Sequence, residues 1–168
     1  MKKLILSFVI LSGSYLNAQQ EVKSGAYSLM LKTLLSHTVP EISVDSAANI
    51  TDSTTVWLDA RESNEVKVST IKNGIPVGYD NFEISSVDSI QKDIKIIVYC
   101  SVGYRSEKVA EKLIKAGYTN VSNLYGGIFE WVNQGQNTYM DSTVTPKVHA
   151  YNKVWGAWLS KGQKVYTK

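Results

Sequence analysis

The sequence predicts a single α/β domain with a central parallel sheet flanked by helices on both faces. Three observations lead there. Short apolar, β-branched runs alternate along the chain with segments of helical period. The run at 95–99 (KIIVY) is apolar almost without interruption, as a strand covered on both faces must be. At 168 residues, 43% hydrophobic and 20% charged, the chain can bury one sizeable core.

The elements follow in order. Residues 1–18 have a positive start (Met1-Lys2-Lys3), an apolar stretch from Leu4 to Leu11, and a small residue at Ala18. That is the three-part pattern of a secretory signal peptide, and it predicts an exported protein, periplasmic or secreted. The apolar stretch is far short of the ~20 residues a membrane-spanning helix needs, so no stable span is expected after cleavage. Residues 19–40 form an N-terminal extension whose helix, 25–36, places Leu29, Leu31, Leu34 and Leu35 at roughly helical spacing and stops before Pro40. A short strand at 42–44 leads into a helical turn capped by Asp45. Residues 54–58 (TTVWL) read as a buried strand ending at Asp59. Residues 65–68 are helical or irregular, 72–78 a turn-rich connection, and 84–92 show no clear period.

Next comes strand 95–99, a loop from Cys100 to Arg105, and a helix at 106–116. Val109, Ala110, Leu113 and Ile114 share one face of this helix, and Gly117 stops it. Residues 121–124 give another strand, Gly126-Gly127 a tight turn, and 128–133 a helix carrying Phe129 and Trp131. The segment 136–168 contains Tyr151, Trp155, Trp158 and Tyr166, too aromatic for a disordered end, and is expected to fold back onto the domain.

Charge and cysteine content exclude several classes. Eighteen Lys and Arg against fifteen Asp and Glu give a net charge of +3, which offers no basis for nucleic-acid binding. Cys100 is the one cysteine, so neither an intramolecular disulfide nor a cysteine-rich metal site can form. His37 and His149 show no ligand spacing and are read as non-catalytic; no metal is expected.

Cys100 sits where a buried parallel strand ends and a helix begins. Unpaired helix N-terminal amides and the positive end of the helix dipole converge there, an environment that favours a sulfur anion and makes the cysteine a nucleophile. Gly103 lets the backbone turn its amides inward, and Arg105 adds a positive charge suited to an oxyanion or, alternatively, to a carboxylate on a neighbouring helix. Asp59 can accept amide hydrogen bonds at a strand end, and Arg61 can pair with an acidic neighbour. Four residues separate Cys100 from Arg105, one fewer than in the Cys-x5-Arg loop of protein tyrosine phosphatases, and a shorter loop suits a cysteine-bound sulfur better than a phosphate.

Asp59-Ala60-Arg61-Glu62 after a strand, the 71–78 connection, Tyr99-Cys100-Ser101-Val102-Gly103-Tyr104-Arg105-Ser106, and Leu124-Tyr125-Gly126-Gly127 with Trp131 together resemble a rhodanese domain over residues 41–135. The family's usual Gly-His-Ile-Pro-Gly-Ala segment reads Asn73-Gly74-Ile75-Pro76-Val77-Gly78 here, without the histidine, a departure that bears on packing more than on chemistry. The resemblance implies a sulfurtransferase with a persulfide on Cys100, formed from a small sulfur donor such as thiosulfate and discharged to cyanide or a thiol, without a metal or organic cofactor. It implies that the loop residues Ser101, Val102, Gly103, Tyr104 and Ser106 surround the persulfide, that Arg105 attracts the donor's sulfonate, and that Asp59 and Arg61 support the pocket. Two other readings use the same cradle: a sulfur-carrier or redox-sensing module acting with a protein partner, and a phosphatase or arsenate reductase. The sequence does not identify a protein partner.

Overall fold

The computed structural model describes residues 22–166; the signal peptide read at 1–18 lies outside them. Five parallel strands form the main sheet in the order β1-β5-β4-β2-β3. They are β1 (Glu41–Ile42), β2 (Val56–Asp59), β3 (Gly74–Pro76), β4 (Ile96–Tyr99) and β5 (Val121–Leu124). β4 lies in the middle and is buried throughout, the position its unbroken apolar run requires. Its residues alternate between two hydrophobic clusters, one on each face of the sheet. Ile97 and Tyr99 pack with Leu31, Leu124, Ile128 and Phe129; Ile96 and Val98 pack with Leu58, Val109, Ala110 and Leu113.

The helices are α1 (Gly25–Leu34), α2 (Val44–Ala48), α3 (Ser63–Val66), α4 (Tyr104–Lys115) and α5 (Gly127–Asn133). α1 starts behind Ser24, whose hydroxyl accepts the Tyr27 amide. α2 is capped by Ser43, not Asp45: Ser43 Oγ accepts the Ser46 amide at 3.1 Å, and β1 ends two residues earlier than expected, at Ile42. α4 begins at Tyr104, two residues before its expected start, because Gly103 at φ 115° turns the chain straight from the cysteine loop into the helix. The turn-rich connection contains β3, an edge strand on β2 that its Gly-Ile-Pro sequence conceals. Residues 84–87 form a 3-10 turn.

Beyond α5 the chain folds back. β6 (Thr138–Met140) and β7 (Thr143–Thr145) make a hairpin, and β8 (Lys147–His149) pairs in parallel with β9 (Gln163–Val165). Between β8 and β9, Trp158 stacks on Tyr27 of α1 at 5.5 Å, while Asn133 Oδ1 accepts the amides of Ser160 and Lys161. Val148, Ala150 and Leu159 are fully buried in the cluster that also holds α1 and α5. Among the described residues no helix is long and apolar enough to cross a membrane.

α5 meets the cysteine loop end-on. The amides of Ile128 and Phe129 donate to the carbonyls of Cys100 and Ser101 at 2.8 and 3.1 Å. Gly127 makes this approach possible: at φ 57° a β-carbon would lie 2.7 Å from the Ser101 carbonyl carbon and closer still to the Cys100 oxygen. Gly127→Ala is therefore expected to cost about 2–3 kcal/mol through left-handed strain and backbone overlap. A denaturant titration checks this, and a cost near zero would show that the loop yields freely.

Candidate active site

Cys100 follows directly on β4, at the carboxyl end of the central strand, the edge at which open parallel sheets hold ligands. It is 1% exposed, and its Sγ accepts the Gly103 amide at 3.1 Å. Gly103 caps a 12-residue helix, so the sulfur lies at the positive end of α4. Above it opens a cavity of about 330 Å³ lined by Cys100, Ser101, Val102, Tyr104 and Arg105 from the loop, by Glu62, Tyr79 and Asp80, and by Leu34, Tyr151 and Trp155 from the two ends of the chain. Among the described residues no group of three or more His, Cys, Asp or Glu is placed to hold a metal.

Arg105 lines this cavity and is also the partner of a helix carboxylate. Its two terminal nitrogens donate to Glu65 of α3 at 2.6 and 2.8 Å, and one of them donates to Ser101 Oγ at 3.0 Å. Ser101 Oγ in turn donates to Glu65 at 2.9 Å. Glu65 also closes a capping box, accepting the Glu62 amide. The Glu65 side chain is 2% exposed and that of Arg105 14%, so the pair is largely desolvated. Burial works to raise the Glu65 pKa, but the hydrogen bonds and charge of Arg105, with the Glu62 amide, outweigh it and hold the carboxyl below its usual range. Burial likewise works to lower the Arg105 pKa, and the Glu65 hydrogen bonds and the nearby Cys100 sulfur raise it beyond its ordinary value.

The other predicted residues divide by depth. Val102 and Tyr104 reach the cavity, Tyr104 with 40% of its surface exposed. Gly103 contributes its amide to the sulfur. Ser106 is fully buried beneath the loop, its Oγ donating to Asn123 Oδ1 at 2.7 Å, and it does not line the cavity. Asp59 and Arg61 form a fully buried ion pair, Arg61 donating to both Asp59 oxygens at 2.9 and 2.6 Å and to the Ser69 carbonyl, and neither lines the cavity. His37 pairs with Glu41, and His149 Nδ1 accepts the Tyr151 amide. Neither histidine lines the cavity.

Sequence reasoning missed Glu65 as the partner of Arg105, and it missed Glu62, Tyr79 and Asp80 as cavity residues. For Glu65 a local signal existed, since Glu62 followed three residues later by Glu65 is a capping pattern. Tyr151 and Trp155 were read only as covering aromatics; in the structure they are cavity walls.

The rhodanese-like domain family matches residues 43–134. Among curated proteins, the tRNA uridine(34) hydroxylase of Yersinia pestis is 33% identical over 116 residues, which is 66% of this chain and 33% of that protein. The same enzyme of Hamiltonella defensa is 35% identical over 88 residues, 49% of this chain and 25% of that protein. The chain thus spans about a third or less of the length of these curated relatives. Among solved structures, a rhodanese-related protein from Thermoplasma volcanium superposes with a TM-score of 0.53 at 27% identity, over 60% of this chain and 98% of that one. A thiosulfate sulfurtransferase from Pseudomonas aeruginosa gives 0.56 at 20% identity, over 80% of this chain and 26% of that one, a likeness of fold.

The depressed pKa of Glu65 ties stability to pH. Its contribution is fully present above its unfolded-state pKa of ~4.3 and is lost as pH falls through the lower folded value. Glu65→Gln should cost about 3 kcal/mol at neutral pH by leaving Arg105 without its carboxylate, and should flatten the acid limb of a plot of melting temperature against pH. An acid limb as steep in the variant as in the wild type would show that other carboxylates set it.

Proposed function

The chain belongs to the rhodanese-like domain family, and from that premise we propose that it is a sulfurtransferase carrying sulfane sulfur on Cys100. The observation that supports this reading is the Cys100 Sγ held by the Gly103 amide at the positive end of α4, on the floor of a cavity sized for a small molecule. Thiosulfate is the simplest donor. The thiol proton passes to solvent, the Cys100 thiolate attacks the donor's outer sulfur, an Sγ–S bond forms, and the donor's S–S bond breaks with its electron pair leaving on sulfite. The cysteine then bears a persulfide, whose charge the amides of the loop and of the α4 N-terminus stabilise. Cyanide or a thiol attacks the outer sulfur and departs as thiocyanate or as a hydropersulfide, and the Cys100 thiolate is restored.

No step requires a metal or an organic cofactor. Arg105 acts in this scheme chiefly by holding the loop through Glu65 and Ser101, with its remaining face toward the cavity. With residues 1–18 read as an export signal, the reaction belongs outside the cytoplasm, and its acceptor is a small thiophile or a protein thiol available there. The tRNA-modifying activity in the names of the longer relatives stays with those proteins.

Purified protein is expected to form thiocyanate from thiosulfate and cyanide with double-reciprocal lines that are parallel, the signature of a substituted-enzyme intermediate. Cys100→Ser should lower the rate by at least about a thousandfold with no loss of cooperative unfolding. Thiocyanate formation by Cys100→Ser at the wild-type rate would refute the assignment of the sulfur to this residue.

A further inference from the structure

A second cavity lies toward the other end of the main sheet. Cys100 follows the carboxyl end of β4, whereas this space, of about 430 Å³, opens beside the residues that start β2 and precede β3, and it shares no lining residue with the Cys100 cavity. Its volume is that of a small-molecule site. Trp57 and Trp131 in its wall belong to the span that the family shares, but Gln136, Asn137 and Tyr139 come from the chain beyond residue 134. The cavity therefore forms where the C-terminal extension turns back against the domain.

Its wall is held in place by the protein alone. The Trp57 and Trp131 rings meet edge to face, 5.4 Å apart at 70°, and Trp131 Nε1 donates to the Asn137 carbonyl at 2.9 Å. Tyr139 and Thr70 exchange both backbone hydrogen bonds at 2.8 Å, which fixes the Tyr139 ring beside Lys72. Little ordering cost is left for a ligand to meet.

Charge does not single out an ion here. Asp52 and Lys72 are the charged residues of the wall, one of each sign. Both Asp52 oxygens are taken by Thr54, by its amide at 2.9 Å and its hydroxyl at 2.7 Å, and the Lys72 ammonium lies over the Tyr139 ring, 6.0 Å from its centroid. The neutral polar groups are the ones left available. The side-chain amides of Asn73, Gln136 and Asn137 make no hydrogen bond among the described residues, and each offers a carbonyl acceptor and two N–H donors. Aromatic rings and unengaged amides around one space match a neutral molecule with C–H faces and a rim of hydroxyls. A flat heteroaromatic ring needs a parallel slot, which two rings at 70° do not form; a puckered ring fits the corner between them.

We propose that this cavity binds a neutral pyranose, free or at the end of a saccharide. Its C–H face packs on the half-buried Trp57 and Tyr139 rings, with Trp131 closing the corner, and its hydroxyls meet the amides of Asn73, Gln136 and Asn137. This binding is independent of Cys100 and of any sulfur chemistry.

The test is an NMR titration of the isotope-labelled protein with methyl β-glucopyranoside, N-acetylglucosamine, cellobiose and chitobiose, with open-chain sorbitol and flat adenine as controls. At least one of the four sugars should shift the Trp57 and Trp131 indole signals saturably, with a dissociation constant in the millimolar range or tighter, while the Trp155 indole at the Cys100 cavity stays in place. A Gln136→Ala, Asn137→Ala double variant should bind that sugar about tenfold more weakly, the effect of two lost hydrogen bonds, and should melt with the wild type. Asn73→Gly keeps the left-handed backbone at φ 60° and should weaken binding about threefold. If the double variant does not fold, Asn73→Gly decides. Cys100→Ser should bind as the wild type does, so failure of the sulfurtransferase reading leaves this result untouched. No saturable shift with any of the four sugars, a response to sorbitol or adenine equal to theirs, or undiminished binding by the amide variants overturns the proposal.

Discussion

One buried carboxylate holds the cysteine loop in shape. Glu65 accepts hydrogen bonds from both terminal nitrogens of Arg105, from the Ser101 hydroxyl and from the Glu62 amide, at 2% side-chain exposure. A charge so desolvated is tolerable only with its partners in place, so the ion pair is weak as a source of net stability and strict as a constraint on geometry. It links α3, which follows β2, to the loop that follows β4. If either side moves, a charge is left buried without its counterion. The loop that carries Cys100 is thereby pinned from the side of the sheet where β2 ends.

The opposite side of the loop is pinned by backbone. The α5 amides of Ile128 and Phe129 take the carbonyls of Cys100 and Ser101, and the absence of a side chain at Gly127 lets them come that close. With its carbonyls turned toward α5, the loop is free to turn the Gly103 amide toward the sulfur. Asn123 and Ser106 complete the underside, where the Asn123 side-chain amide donates to the Gly103 carbonyl at 3.0 Å. The Cys100 sulfur is thus held by groups that need not rearrange if a negative sulfur forms there, which is the condition for stabilising a sulfur anion without reorganisation cost.

The parts of this arrangement that sequence reveals are the local ones. Ile96 to Tyr99, Cys100, Gly103 and the apolar face of α4 are contiguous, and their order alone encodes strand, turn and helix. What stayed hidden depends on contacts between distant residues. Arg105 shows a charge, but its choice of Glu65, 40 positions away, follows from how α3 packs. Ser106, next to a residue that reaches the cavity, turns beneath the loop to Asn123 because the α4 helix carries it to the other face. β3 is masked by Gly74 and Pro76, residues that disfavour strands generally but are tolerated on an edge. Aromatic content showed that the tail packs somewhere. That Tyr151 and Trp155 line the cavity above the cysteine requires the pairing of β8 with β9, which short, mostly polar strands do not advertise.

The central claim is that sulfur is carried covalently on Cys100, and intact mass tests it most directly. Wild-type protein treated with a sulfane donor and freed of excess reagent should gain about 32 Da, the gain mapping to the peptide that contains Cys100, and cyanide should return it to its starting mass. A mass that never changes while Cys100 remains open to alkylation would contradict the account.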